Sequence, residues 1–217
     1  YHGRPHDYNA LGQSNDFYRV NLRNTSHVEM LPNQMGMQSC PLESWEGRVI
    51  RTGGLVARNS PEEPTVLESL HSVQWFDSSN MKWSDLPSLP SGRSSHDTAV
   101  VGSYLYVIGG WNIQSKADSR SWHNSMLRLD LRDPDAGWTT LKVPFEKRAL
   151  AAVSVQEKIL VVGGMTSSGI SKSVHLYDPS EDSWEELTDY PGQSFGVAAD
   201  SFAEQVVASG SDGAVFQ

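Results

Sequence analysis

Several groupings of side chains in this sequence have residue types that could do chemistry. Arg93 and His96 lie three residues apart, and Arg148 stands further along. A guanidinium beside an imidazole offers a cationic rim for a carboxylate, whether a ligand's or an acidic side chain's. The same residues would also serve to tie loops to neighbouring backbone carbonyls. Trp111 and Trp122 bracket a stretch that contains Lys116 and Arg120. Aromatic rings next to arginine are enriched where proteins meet, and rings folded back over a sheet edge would read the same way. His2 and His6, with Asp7 beside them, have metal-ligand spacing. A metal site needs three or four ligands, and no supported third stands near.

Asp133 with Asp135, and Glu181 with Asp182, are paired carboxylates. A glycosidase would aim such a pair into a cleft, whereas Asp beside Pro and Ser is ordinary turn chemistry. Cys40 is the single cysteine. It excludes an internal disulfide and any CxxC site, and free Cys is most often small buried filler. No GxSxG elbow, phosphate loop, HExxH pair or dinucleotide fingerprint occurs.

The elements that must position these residues come from an internal repeat. Apolar runs close on glycine at Gly53-Gly54, Gly109-Gly110, Gly163-Gly164 and, degenerately, Ser209-Gly210, a period of roughly 50 residues. Each is followed by a small residue, alternating apolar positions and Asp: Ser72 to Asp77, Ser125 to Asp130, Ser173 to Asp178, with 16–21 as a weaker copy. Then comes Trp-x-x-Leu, at Trp83, Trp138 and Trp184, with Val28 to Leu31 as the degenerate copy. An apolar run such as Ile159-Leu160-Val161-Val162 is that of a strand buried on both faces. No sustained helical periodicity is present.

Columns in this order resemble the kelch repeat: a glycine doublet after an apolar strand, a downstream Tyr/Phe-Asp, then Trp. The resemblance implies four antiparallel strands per blade, here a to d, and an arginine at the opening of strand a, as at Arg93. The expected fold is all-β, a kelch-type β-propeller of four-stranded antiparallel blades in a partial ring. It is read as one region over 1–217: a half blade at 1–31, blades at 32–90, 91–144 and 145–191, and a half blade at 192–217. In the family six or seven blades are usual, so the chain is expected to be part of a longer protein, or to need another chain or a missing segment to complete the ring. The b–c connections at 55–70, 111–123 and 165–172 are expected to be long loops sharing one face with the d–a linkers.

The balance of 17 basic against 26 acidic residues, net −9, with no basic run, argues against nucleic acid. No stretch approaches the length of a membrane span. A soluble protein of either the cytoplasm or the extracellular space is compatible with this composition. The reading is a non-catalytic protein-interaction scaffold that takes a protein partner or acidic ligand on the b–c and d–a face. Its candidate binding residues are Arg93, His96, Trp111, Arg120, Trp122 and Arg148. No catalytic residue, metal or cofactor is expected. Two alternatives stay open: a kelch-type carbohydrate-active enzyme of the sugar-oxidase or sialic-acid isomerase class, or a structural subunit of a larger extracellular assembly. Some kelch enzymes resemble galactose oxidase, a copper enzyme with Tyr, His and Cys in its site, and no such ligand set can be matched here.

Overall fold

The computed structural model describes residues 13–33, 35–60, 63–115, 119–202, 204–211 and 213–216. Every strand pairing among the described residues is antiparallel, and the one helical element described in full is a 3-10 turn, Pro134–Ala136. The first complete blade has strands a to d at Leu42–Trp45, Arg48–Thr52, Val73–Asp77 and Lys82–Leu86. The second has Ser94–Val101, Tyr104–Gln114, Ser125–Asp130 and Thr139–Lys142. The third has Ala151–Val155, Lys158–Val162, Val174–Asp178 and Ser183–Leu187.

Strand b explains its own composition. In the second blade Leu105 and Val107 join Ile50, Val73 and Leu86 of the first, while Tyr106 and Ile108 join Ile159, Val161 and Tyr177 of the third. Alternate residues on a strand face opposite sides, so a strand between two neighbours has no polar face. Each such side chain contributes about 1.5–3 kcal/mol on burial.

The strand-d tryptophans occupy equivalent places and staple each blade to the one before. The indole N–H of Trp83 donates to the Pro32 carbonyl at 2.8 Å, Trp138 to Pro87 at 2.8 Å, and Trp184 to Lys142 at 3.1 Å. The rings are half-buried rather than fully enclosed, because strand d is outermost and leaves one ring edge in water. Their inner faces pack on strand c: Trp83 lies 5.3 Å from Phe76, and Trp184 lies 4.8 Å from Tyr177.

Among the described residues the two ends do not pair, and Tyr18–Val20 pairs only with Val28–Met30. Ala198–Phe202 and Gln205–Ser209 pair with each other, and a short third strand, Val215–Phe216, lies where no strand was expected. Among the described residues nothing joins the leading pair to the trailing sheet, so the blades form an open arc.

Trp138→Ala should cost about 3 kcal/mol, at the low end for a large aromatic because the ring is only half-buried. Trp138→Phe keeps most of the packing and should cost about 1 kcal/mol for the lost indole bond. Urea unfolding of the three proteins measures the difference.

Candidate functional site

The b–c connections differ from the long loops expected. They are β-hairpins that carry strand b past the glycine doublet and onto one face. Leu55–Ala57 pairs with Leu67–Ser69, the end of Tyr104–Gln114 pairs with Ser119–Trp122, and Met165–Thr166 pairs with Gly169–Ile170. Gln114 stands opposite Glu68, which fuses the first two hairpins into one sheet. The chain turns without stopping because Gly109 and Gly110 take φ of 68° and 88°. A Cβ on Gly109 would lie 2.5 Å from Leu150 Cδ2 and 2.6 Å from the Lys147 carbonyl.

Three of the expected binding residues converge on this face. Trp111 and Trp122 are cross-strand partners with ring centroids 5.9 Å apart. The Arg148 guanidinium, from the d–a linker of the next blade, lies 4.1 Å from the Trp111 ring, 5.5 Å from Trp122 and 5.8 Å from Phe195. Such cation–π contacts hold a charge against an apolar surface. Arg148 also reaches Met165 Sδ at 3.1 Å. Arg120, two residues before Trp122 and therefore on the same side of its strand, is exposed. Lys116, His2, His6 and Asp7 lie outside the described residues.

Arg93 and His96 sit elsewhere, inside the seam between the first two blades. Arg93 is 2% exposed, and its guanidinium donates to the carbonyls of Gly109 at 2.8 Å and Ser125 at 3.2 Å. Its counterpart is Lys147, whose ammonium donates to the Ser173 carbonyl at 3.2 Å and hydroxyl at 2.5 Å. Burial lowers Arg93 to about 10 and Lys147 to about 8. The His96 Nε2 pairs with the Thr52 hydroxyl at 2.7 Å. Burial first, then the Arg93 and His123 charges, hold its imidazole neutral far below the ordinary range. His123, near the Gly92 carbonyl at 3.0 Å, is lowered to about 4 by burial and Arg93. Arg93 and His96 are buried in the seam while Arg148 stands against the hairpin tryptophans, so the three do not share one pocket. Asp133 and Asp135 are exposed at the 3-10 turn of a c–d connection, and Asp182 accepts the Tyr177 hydroxyl at 2.6 Å.

One group was not expected. The a strands line an axial cleft of about 420 Å³, into which Glu43, Asp97 and Asp200 bring carboxylates from three blades. Asp97 bridges blades by accepting the Ala152 N–H at 2.8 Å, and it also accepts its own neighbour's, Thr98, at 2.9 Å. Burial raises Asp97 to about 6 despite these bonds. Burial, then Asp97, and more weakly Asp200, raise Glu43 to about 7 against the pull of the Ser44 N–H. The sequence signal was weak: the a strands holding Glu43, Asp97 and Asp200 carry one acidic residue each, while Ala151–Val155 of the third blade carries none. Among the described residues no three His, Cys, Asp or Glu are grouped to hold a metal ion, and no helix is long and apolar enough to cross a membrane.

The repeat geometry is matched by a family model, the KLHDC2/KLHL20/DRC7 Kelch-repeats domain, over residues 8–207. The chain belongs to the kelch-repeat family. Kelch-like protein 41b of Danio rerio is 29% identical over 130 residues, 60% of this chain and 20% of that protein. Kelch-like protein 36 of Rattus norvegicus is 28% identical over 145 residues, 66% of this chain and 23% of its own length. Kelch-like protein 35 of Mus musculus is 33% identical over 135 residues, 60% and 21%. The matched kelch region thus spans about a fifth of these relatives. Among solved structures, that of YjhT superposes with a TM-score of 0.74 at 16% identity, covering 90% of this chain and 66% of YjhT. That likeness is one of fold.

A carboxyl whose folded pKa is raised disfavours the folded state once it ionises. For Glu43 the penalty is absent below its ordinary value near 4.5, grows as pH rises, and is complete above about 7. Glu43→Gln should therefore stabilise the chain by about 1–2 kcal/mol at pH 8, after discounting for solvent screening, with the gain shrinking towards pH 5. Thermal unfolding of both proteins across that range checks the sign.

Proposed function

We propose that this chain is a non-catalytic scaffold that binds a protein partner through its b–c and d–a face, where the second and third blades meet. The observation that carries this reading is the Arg148 guanidinium stacked on Trp111, with Trp122 and Phe195 around it. Arginine and tryptophan are the side chains most enriched at binding hot spots. Here they stand on a hairpin and on the adjoining d–a linker, held by an arc of blades, the arrangement by which a scaffold presents recognition residues. Arg120 adds an exposed positive charge on a chain whose net charge is −9, which favours a partner segment rich in Asp or Glu. The Kelch-like names of the relatives fit an interaction role. In this reading Arg93 and His96 support the face from beneath, and Trp111, Arg120, Trp122 and Arg148 meet the partner.

One observation favours a second reading, a kelch-type carbohydrate-active enzyme. Glu43, Asp97 and Asp200 share the axial cleft, and Glu43 titrates near 7, where a carboxyl can act as general acid or base.

Acidic peptides selected from a random display library separate the two. Under the scaffold reading, Arg148→Glu and Trp122→Ala each weaken binding about 30-fold, a hot-spot loss, with the melting temperature little changed. If neither substitution alters binding, and the chain converts sugars with activity lost in Glu43→Gln, the enzyme reading replaces it.

A further inference from the structure

The hairpin layer is stitched at one seam and open at the next. Between the first and second blades, Glu68 pairs with Gln114, the Ser69 hydroxyl accepts the Ile113 N–H at 2.9 Å, and the Ser115 hydroxyl accepts the Leu67 N–H at 2.9 Å. Between the second and third blades no such bond occurs among the described residues. Ser119–Trp122 pairs on one side only, and the third blade's hairpin is a separate two-stranded sheet.

A single substitution within the repeat removes one of these bonds. Leu70, His123 and Ser171 are equivalent, because the N–H of each donates to the second glycine of its doublet, at 2.8, 3.1 and 2.9 Å. The residue before each is then Ser69, Trp122 and Ile170. Where the first blade has a hydroxyl that stitches the seam, the second has an indole that cannot accept a hydrogen bond.

The open edge has a defined polarity. The His123 N–H donates to Gly110, so in this antiparallel register Ser121 and Ser119 also bond inward. The N–H and C=O groups of Arg120 and Trp122 therefore point outward, away from 111–114. The opposite edge of the layer is closed by a side chain: the Gln13 amide donates to the Leu55 carbonyl at 3.0 Å and accepts the Ala57 N–H at 3.1 Å. Such capping is how proteins blunt exposed edges, and among the described residues Ser119–Trp122 has none. Beneath it lie Trp111, Trp122 and Arg148. The Trp111 indole N–H is buried without an acceptor among the described residues.

We propose that a partner polypeptide docks here as an added β-strand, an extended acidic segment of about four residues hydrogen-bonded to the outward groups of Arg120 and Trp122. It occupies the place that the Gln114–Glu68 pairing fills one seam earlier. Backbone bonds supply register, and Arg120 and Arg148 select acidic side chains at alternate positions. This rests on the loop-face reading above and specifies its binding mode.

The test uses the 217-residue chain and a fluorescein-labelled peptide of alternating Glu and Val, followed by anisotropy. Two isomers carry N-methyl groups on the Glu amides or on the Val amides, removing donors from one edge of the strand or the other. One isomer should lose binding about tenfold or more while the other matches the parent peptide. Arg120→Pro, which deletes an outward N–H at an edge position that tolerates proline, should bind about tenfold more weakly than Arg120→Ala. The Arg120→Ala loss itself should fade in high salt. Equal binding of both isomers, or of both variants, overturns strand addition; the loop-face reading survives that result if Arg148→Glu still abolishes binding. Binding of the parent peptide unchanged by Arg148→Glu overturns both.

Discussion

The fold depends on a backbone ladder at its inner rim. The N–H of Ser95 donates to the Ser39 carbonyl at 3.1 Å, Ala149 to Ser95 at 2.7 Å, and Gly196 to Ala149 at 3.1 Å. The second glycine of each doublet donates to the next blade's linker, Gly54 to Arg93 at 2.9 Å, Gly110 to Lys147 at 2.7 Å and Gly164 to Ser194 at 2.6 Å. Backbones can approach this closely only if the linker turns sharply as it enters strand a. Ser39, Ser95, Ala149 and Gly196 all make that turn in the left-handed region, at φ of 53°, 52°, 52° and 65°. For the non-glycine residues this costs about 1–2 kcal/mol each, an expense the two rim bonds and the burial behind them offset.

Much else follows from the ladder. Fixing strand a against the axis places its carboxylates in one cleft, which is why Glu43 feels Asp97 and, more weakly, Asp200 across blades. It also wedges the blades, tied by backbone on the inside and by the tryptophan bonds on the outside. Between those ties strand b contacts both neighbours and must be apolar throughout. The buried cations Arg93 and Lys147 belong to the same construction. Each reaches from the rim to the carbonyl opening strand c, Ser125 or Ser173, and so fixes the width of its blade.

The blades were legible in the sequence because their determinants are chemical types at repeated spacings: doublet, Asp turn, Trp. The hairpins were not. A segment such as 111–122, with Trp, Asn, Gln and Ser, has no strand alternation, and it becomes a hairpin because strand b runs on through the doublet with its hydrogen-bond partners already in place. Arg148 shows a subtler limit. It looks like the repeat partner of Arg93, yet the hydrogen bonds align Arg93 with Lys147 and Arg148 with Ser94. The marker that would have set the register is the left-handed residue, and Ser95 and Ala149 betray nothing of that conformation by type. That one-position shift turns Arg148 from a rim tie into a side chain standing among tryptophans. Trp111 and Trp122 were legible as a candidate pair, but their stacking with a residue from the next blade is a fact of assembly.

Stability and recognition are separable in such a design. Between the second and third blades the interface already contains Tyr106, Ile108 and Met126 packed on Leu150, Ile159, Val161 and Tyr177, together worth on the order of 10 kcal/mol or more. The seam in the hairpin layer adds, where it is stitched, a few hydrogen bonds of about 1 kcal/mol each. Losing them at one seam leaves the arc intact. The position that is Ser69 in one blade can therefore be Trp122 in the next and Ile170 in the third without disturbing the rim or the core. Variation is confined to a layer that the fold does not need for its own cohesion. An unpaired edge there is tolerable because it is short, and because it carries Arg120 it repels further copies of itself while staying open to a segment of opposite charge.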